Sequence, residues 1–230
     1  MDSGVDPPLR GSGLVGYGER GADAEEAKLP APPTQARGVD KRDRLYSAAI
    51  ARFTADGVAA THIEDVIADA EVSWATFFRY FPRKGDVLIE HAARHFREHV
   101  RAAAHEGISD ARLAIRTVIE RTFTALLEPA GTSAELHNAA LLEVFAHPAR
   151  FAATLDEGHP QPVVGVVAGL LAEAERRGEI RPGLDPGAAA LTVVAGALFP
   201  AVQAAALGAD PTGPMAAGLD MLWVGLCRMD

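Results

Sequence analysis

An all-α fold is what three features of this 230-residue chain predict. Val, Ile, Thr and aromatic residues seldom alternate with polar ones, which argues against strands. Ala and Leu dominate the second half, within an overall hydrophobic share of 48%. Apolar residues recur at helical spacing between Gly, Pro and Ser punctuation, the pattern of helices with one buried face. A chain of this length can bury a sizeable core in one or two domains.

Residues 1–39 carry Gly, Pro, Ala and charge but few large apolar groups, so a disordered tail is expected there. A first helix starts near Asp40, with Leu45, Ala48, Ala49 and Phe53 inward and Gly57 as its stop. Thr61 and Glu64 form a T-x-x-E capping box for a second helix, whose inner face is Ile63, Val66, Ile67 and Ala70. Ala70-Glu71-Val72 is a tight turn. Ser73 caps a third helix, which runs to about Tyr80 and stops at Phe81-Pro82, since proline disfavours helix in the residue before it. Residues 40–86 thus make a head, and 87–230 a helical body.

The body opens with a long helix over about Asp86–Ala104, striped by Leu88, Ala92, Phe96, Val100 and Ala103. Gly107 is expected to break it and Ser109 to cap the next, over 109–128, with Ile115, Val118, Ile119, Thr122, Phe123 and Leu126 inward. Pro129–Gly131 is a turn. Helix 133–146 ends at His147-Pro148, and a shorter helix over 149–157 leads to Gly158-His159-Pro160. Helix 162–177 ends in Glu-Arg-Arg-Gly, with cations and a glycine suited to a C-terminus. Helices 186–207 and 214–228 close the chain.

Charge and composition narrow the function. The net charge of −9 argues against a protein that coats nucleic acid over its whole surface. It is uneven, however: 40–103 holds ten basic and ten acidic residues, 104–230 eight and fifteen. Arg79, Arg83 and Lys84 make a local positive face with no acid between 72 and 85. The single cysteine, Cys227, excludes an intrachain disulfide framework and fits a reducing cytoplasm; it is expected to be a buried small hydrophobe. No signal-peptide pattern is read, and no membrane span is expected, since the most apolar stretch, 188–207, contains Pro200 and Gln203. There is no Gly-rich phosphate loop, nucleophile elbow or paired-Cys motif, so neither an enzyme nor a cofactor is expected. His91, His95 and His99 recur every four residues. One helix presents such rings poorly to a metal, so a solvated flank is expected instead.

Two short helices joined by a tight turn are a device for laying one helix in a DNA major groove. Ala48-Ala49, Phe53 and Gly57, then Thr61, Ile63, Val66, Ile67 and Ala68, then Val72-Ser73 and Thr76-Phe77-Phe78-Arg79-Tyr80-Phe81-Pro82 with Lys84, resemble the DNA-binding domain of TetR-family transcriptional regulators. Asp86 and Leu88 fit the start of the linking helix. The resemblance implies a homodimer on a roughly palindromic double-stranded operator, with helices 186–207 and 214–228 as the interface. It also implies a small molecule in the body that alters the spacing of the two heads, and most often repression. The body matches only in helix number, length and apolar character. A helical small-molecule-binding protein, or a protein–protein adaptor with a degenerate head, is the alternative. Three departures stand out: Glu71 where the turn usually has Gly, Phe78 where the family usually has Tyr, and Trp74-Ala75 where a basic or small pair is common.

Thr61, Ser73, Thr76, Tyr80 and Lys84 are the phosphate-contact candidates, because hydroxyls, helix starts and an ammonium position a protein on DNA. Trp74, Ala75, Phe78 and Arg79 make up the groove face, whereas Phe77 and Phe81 fall on the opposite, core side. Phe96, Phe123, Leu126, His137, Leu141, Phe145 and Phe151 are candidates to line a cavity for an apolar ligand, since such pockets are mostly hydrophobic with few polar handles.

Overall fold

The computed structural model of the protein describes residues 36–155 and 161–227. Up to residue 35 the expected tail lies outside the described residues, as does the Gly158–Pro160 turn. The described residues form helices joined by short loops, without strands. The all-α class and the head–linking helix–body order are those predicted.

Helix α1 (Ala36–Asp56) begins four residues before the expected start and packs its Leu45, Ala49 and Phe53 into the core. Gly57 follows with φ +81°, the left-handed conformation of a helix stop. The capping box at Thr61 does not form. The Thr61 hydroxyl donates back to the Gly57 carbonyl (2.9 Å), so it closes the loop behind α1 rather than opening α2. Helix α2 (Ile63–Asp69) has His62 at its N-cap, with no side-chain cap. Helix α3 (Trp74–Tyr80) is capped as predicted: Ser73 Oγ accepts from the Thr76 backbone N–H (3.3 Å).

Helix α4 is the axis of the molecule. It runs Lys84–His95, passes through a π-helical turn at Phe96–Val100 and continues as Arg101–Ser109. Gly107 does not break it. A methyl built on Gly107 would sit 2.6 Å from Val118 Cγ1, so this glycine lets two helices approach. Ser109 caps nothing and donates to the His105 carbonyl instead (2.8 Å). The next helix, α5, starts only at Ile115 (Ile115–Leu127), and its first free N–H is met by Glu179 Oε2 from far along the chain (2.7 Å). His91 and His95 are buried against α1 and α5, not solvated, because α4 is covered on nearly all sides; only His99 is half-exposed.

Around α4 stand α6 (Ala134–Ala146), α7 (Pro148–Leu155) and α8 (Pro162–Arg177). Gly178 ends α8 at φ +74°, as the Glu-Arg-Arg-Gly sequence indicates. Helix α9 (Pro186–Ala206) contains a second π-helical turn at Val194–Leu198. By length and composition α9 is apolar enough to cross a membrane. Here it lies against α6, α8 and α10 (Thr212–Leu226). Gly218 of α10 faces the Gly196 carbonyl of α9 so closely that a methyl there would run into backbone. Cys227 is half-buried rather than buried.

Candidate nucleic-acid interface and ligand cavity

The α2–α3 turn sets the head's geometry. Glu71 holds φ +52°, the only positive φ at a non-glycine among the described residues. It keeps the left-handed step where glycine would be the cheaper residue, at a cost of about 1–2 kcal/mol. Beyond it, Phe77 and Phe81 are fully buried and fix which side of α3 faces out. Trp74 (46% exposed) and Phe78 (42%) stand outward, their rings stacked at 5.5 Å and 16°. Ala75 and Arg79 are exposed on the same short helix. The Arg79 guanidinium folds over the Tyr80 ring (4.8 Å) and donates to its hydroxyl (3.1 Å). The outward face of α3 is therefore more aromatic than basic.

Other phosphate-contact candidates already have partners. Ser73 Oγ and Thr76 Oγ1 are 3.0 Å apart. Lys84 Nζ donates to the carbonyls of Val58 (2.6 Å), Ala59 (3.3 Å) and Thr61 (3.1 Å). Its ammonium thus ties the α1–α2 loop to the start of α4. Thr61 is buried beneath that knot.

The seam between head and body is polar. Asp86, fully buried, accepts from the Arg83 backbone N–H (2.8 Å), from Arg83 Nη2 (3.0 Å) and from Arg150 Nη1 of α7 (3.0 Å). Arg83 also reaches Glu143 Oε1 (3.4 Å) and donates to His147 Nε2 (3.0 Å), both at the end of α6. A second set joins α1 to α4: Arg42 with Glu90 (2.7 Å), Arg94 with Glu90 (2.9 Å) and Asp43 (2.5 Å), and the Tyr46 hydroxyl with His91 Nδ1 (2.9 Å). Nothing in the sequence marks Asp86 and Arg150 as partners, since 64 residues separate them.

Behind this seam lies a cavity of about 340 Å³ between α4, α6, α7, α8 and α9. Leu126, His137, Leu141, Phe145 and Phe151, all predicted candidates, line it. Phe96 and Phe123 do not: both are buried, and Phe96 packs edge to face with Phe151 (5.7 Å, 86°). Sequence reading missed His95 of α4 and the α9 wall, with Leu191, Leu198 and Phe199. The all-round apolar character of α9 was the one available signal.

Glu143 to Phe151 is shared by the seam and the cavity. Glu143, His147 and Arg150 meet Arg83 and Asp86, whereas Val144, Phe145, Pro148 and Phe151 line the cavity. One residue's offset, about 100° of helix, places these two sets on adjacent faces of the corner.

Two buried histidines bring polarity to the cavity wall. His95 Nε2 donates to the Ala125 carbonyl (2.7 Å) and His137 Nε2 to the Leu126 carbonyl (2.9 Å), both at the unpaired C-terminal end of α5. That end of a helix favours cations. Burial prevails, however, and with the repulsion of neighbouring imidazoles it pushes both below the ordinary histidine value, His137 to about 4. Among the described residues no cluster of His, Cys, Asp and Glu could hold a metal.

An outward helix on a helix-turn-helix head, joined by a long helix to a body with an apolar cavity, defines the fold class: an all-helical protein with a helix-turn-helix head. The family model for bacterial regulatory proteins of the tetR family matches residues 45–91. No curated protein matches the chain. Solved structures do. FadR of Thermus thermophilus, a TetR-family transcriptional repressor in complex with lauroyl-CoA, is 22% identical, with a TM-score of 0.67 over 82% of this chain and 96% of that one. A putative TetR-family regulator from Mesorhizobium loti is 17% identical, with a TM-score of 0.58 over 84% and 100%. SmeT, the repressor of a Stenotrophomonas maltophilia multidrug efflux pump, is 21% identical, with a TM-score of 0.54 over 82% and 93%. Residues 45–91 match the model of the tetR family of bacterial regulatory proteins, and the chain as a whole has the fold of the TetR-family structures it resembles.

Proposed function

We propose that the protein is a ligand-responsive transcriptional repressor that binds a palindromic operator as a homodimer. The corner Glu143–Phe151 carries this reading, because one short segment borders both the cavity and the head. A ligand that prefers one arrangement of that corner biases the head through Arg83 and Asp86. Residues 40–86 would be the DNA-binding domain and 87–230 the ligand-binding and dimerisation domain. Met221 (80% exposed) and Val224 (73%) leave α10 apolar on the outside, which supports a second copy as its cover.

On DNA, Ser73, Thr76 and Tyr80 would face phosphates, with Thr61 beneath them and Lys84 bracing the α1–α2 loop, and Trp74, Ala75, Phe78 and Arg79 would enter the groove. The major groove offers an aromatic pair one apolar feature, the thymine methyl. Thymines are therefore expected opposite Trp74 and Phe78.

Selection of bound fragments from random-sequence duplexes tests the reading. An enriched palindrome is expected. Thymine-to-uracil replacement in each half-site should weaken binding by about 1 kcal/mol per contacted methyl. Arg79→Ala should lower the salt slope by about one. Selection that enriches no sequence, with a monomer in sedimentation, would overturn the proposal. The intact left-handed turn and the Ser73 cap weigh against a degenerate head.

A further inference from the structure

None of the described residues that line the cavity carries a formal charge. Among these residues the wall is aliphatic and aromatic except for His95, His137 and Gln161, which stands at the start of α8. A backbone carbonyl only accepts, so the bonds to Ala125 and Leu126 place the ring proton of each histidine on Nε2. In a neutral ring the other nitrogen, Nδ1, is then an acceptor only. The two rings meet edge to face at 4.8 Å, and both line the cavity, so the two histidines form one polar spot on its wall. Burial keeps both rings neutral.

We propose that the cavity takes a neutral, largely apolar molecule bearing a hydroxyl donor, a phenol or an alcohol, whose O–H pairs with Nδ1 of His95 or His137. This rests on the reading of the cavity as the ligand site. A carboxylate would bring lone pairs to lone pairs and would find no cation among the described residues of the wall. An ammonium could donate, but it would be desolvated with no carboxylate beside it among those residues. An ether of the same shape would fill the space and leave the acceptors unmet.

Calorimetry on the full chain at pH 7 with four probes decides it: 4-octylphenol, 4-octylanisole, 4-octylbenzoate and 4-octylbenzylamine. The phenol is expected to bind about fivefold tighter than the anisole, the worth of one net hydrogen bond of about 1 kcal/mol. The benzoate and the benzylamine should bind more weakly than the anisole. In His95→Leu and His137→Leu, which carry no acceptor, the phenol–anisole ratio should fall towards one. If either variant fails to fold, the ratio in the native chain still decides. Equal binding of phenol and anisole overturns the donor specificity but leaves the cavity as a ligand site. Tightest binding by the benzoate or the benzylamine overturns the neutrality. Failure of all four to bind overturns both the inference and the cavity reading, whatever the outcome of the DNA selection.

Discussion

In the head, α2 and α3 are seven residues each and are held by devices within a few residues of one another: the Ser73 cap, the left-handed step at Glu71, the stop at Phe81-Pro82. In the body, the structure hangs on groups far apart in sequence. Glu179 caps the start of α5, Arg177 donates to the carbonyls of Ile108 and Leu113, and Gly218 meets Gly196. Local devices make the head's shape depend little on the rest of the chain, which suits the DNA reading proposed for it. Long-range devices tie several helices of the body together, which suits the ligand response proposed for it.

Glycines offer the sharpest way to break that contrast. Gly218→Ala places a methyl against the Gly196 backbone, which cannot move aside as a side chain can. A loss of about 3 kcal/mol is expected in denaturant unfolding. Gly169→Ala on the exposed face of α8 has open space around it and should stabilise by about 0.5–1 kcal/mol. Equal effects at the two sites would mean that α9 and α10 do not approach as described.

Acid separates the regions next. His137 is 2% exposed and its pKa is lowered to about 4 in the fold, against about 6.5 unfolded. The unfolded chain therefore binds the proton more readily across that window. Stability is fully present above about pH 6.5 and falls as the pH drops towards 4, by about 3 kcal/mol from this residue. His95, shifted the same way, adds to the loss. Denaturant unfolding at pH 7 and pH 4.5 checks this, with His137→Gln expected to flatten the dependence. An unchanged slope in that variant would remove His137 as the cause.

What could be read from the sequence follows the same division. The head was legible because its signals are contiguous: Ser73 with Thr76, the Phe81-Pro82 stop, Phe77 and Phe81 inward. Thr61 misled because its hydroxyl had two local carbonyl and amide choices, and the Gly57 carbonyl won. Gly107 looked like a helix end because glycine is a poor helix former; only Val118, brought against it by folding, shows that smallness was needed. The row His91–His95 sat beside an apolar stripe that accounts for half the helix. Its burial depends on Tyr46 and the end of α5, which no local pattern reveals. The cavity was legible on α6 and missed on α9, where every face is apolar and none stands out.

The seam links the two regions, and Asp86→Asn weakens that link. The amide keeps the shape but removes the charge that Arg83 and Arg150 share. Breaking a buried pair costs 3–5 kcal/mol in general, but Arg83 is more than a third exposed, so about 2 kcal/mol is expected. The larger change should be in coupling. A cavity probe that releases the operator from the native protein should release it less from the variant, while DNA affinity without the probe changes little. Unaltered release would place the coupling elsewhere, with the Arg42–Glu90–Arg94 set as the next candidate.

The smallest effect belongs to the head's one strained residue. Glu71→Gly removes the penalty of a side chain at φ +52° but adds backbone freedom to the unfolded chain. The first term is about 1–2 kcal/mol and the second about 0.5–1, so a net gain near 1 kcal/mol is expected. Glu71 is exposed and makes no side-chain contact that would be lost with it among the described bonds. Operator affinity should stay within a factor of about two, because the turn keeps its path and only the cost of holding it changes. Thermal unfolding of the native and Glu71→Gly chains measures the gain. A loss of stability would show that the Glu71 carboxylate holds the turn in a way its backbone angle does not reveal.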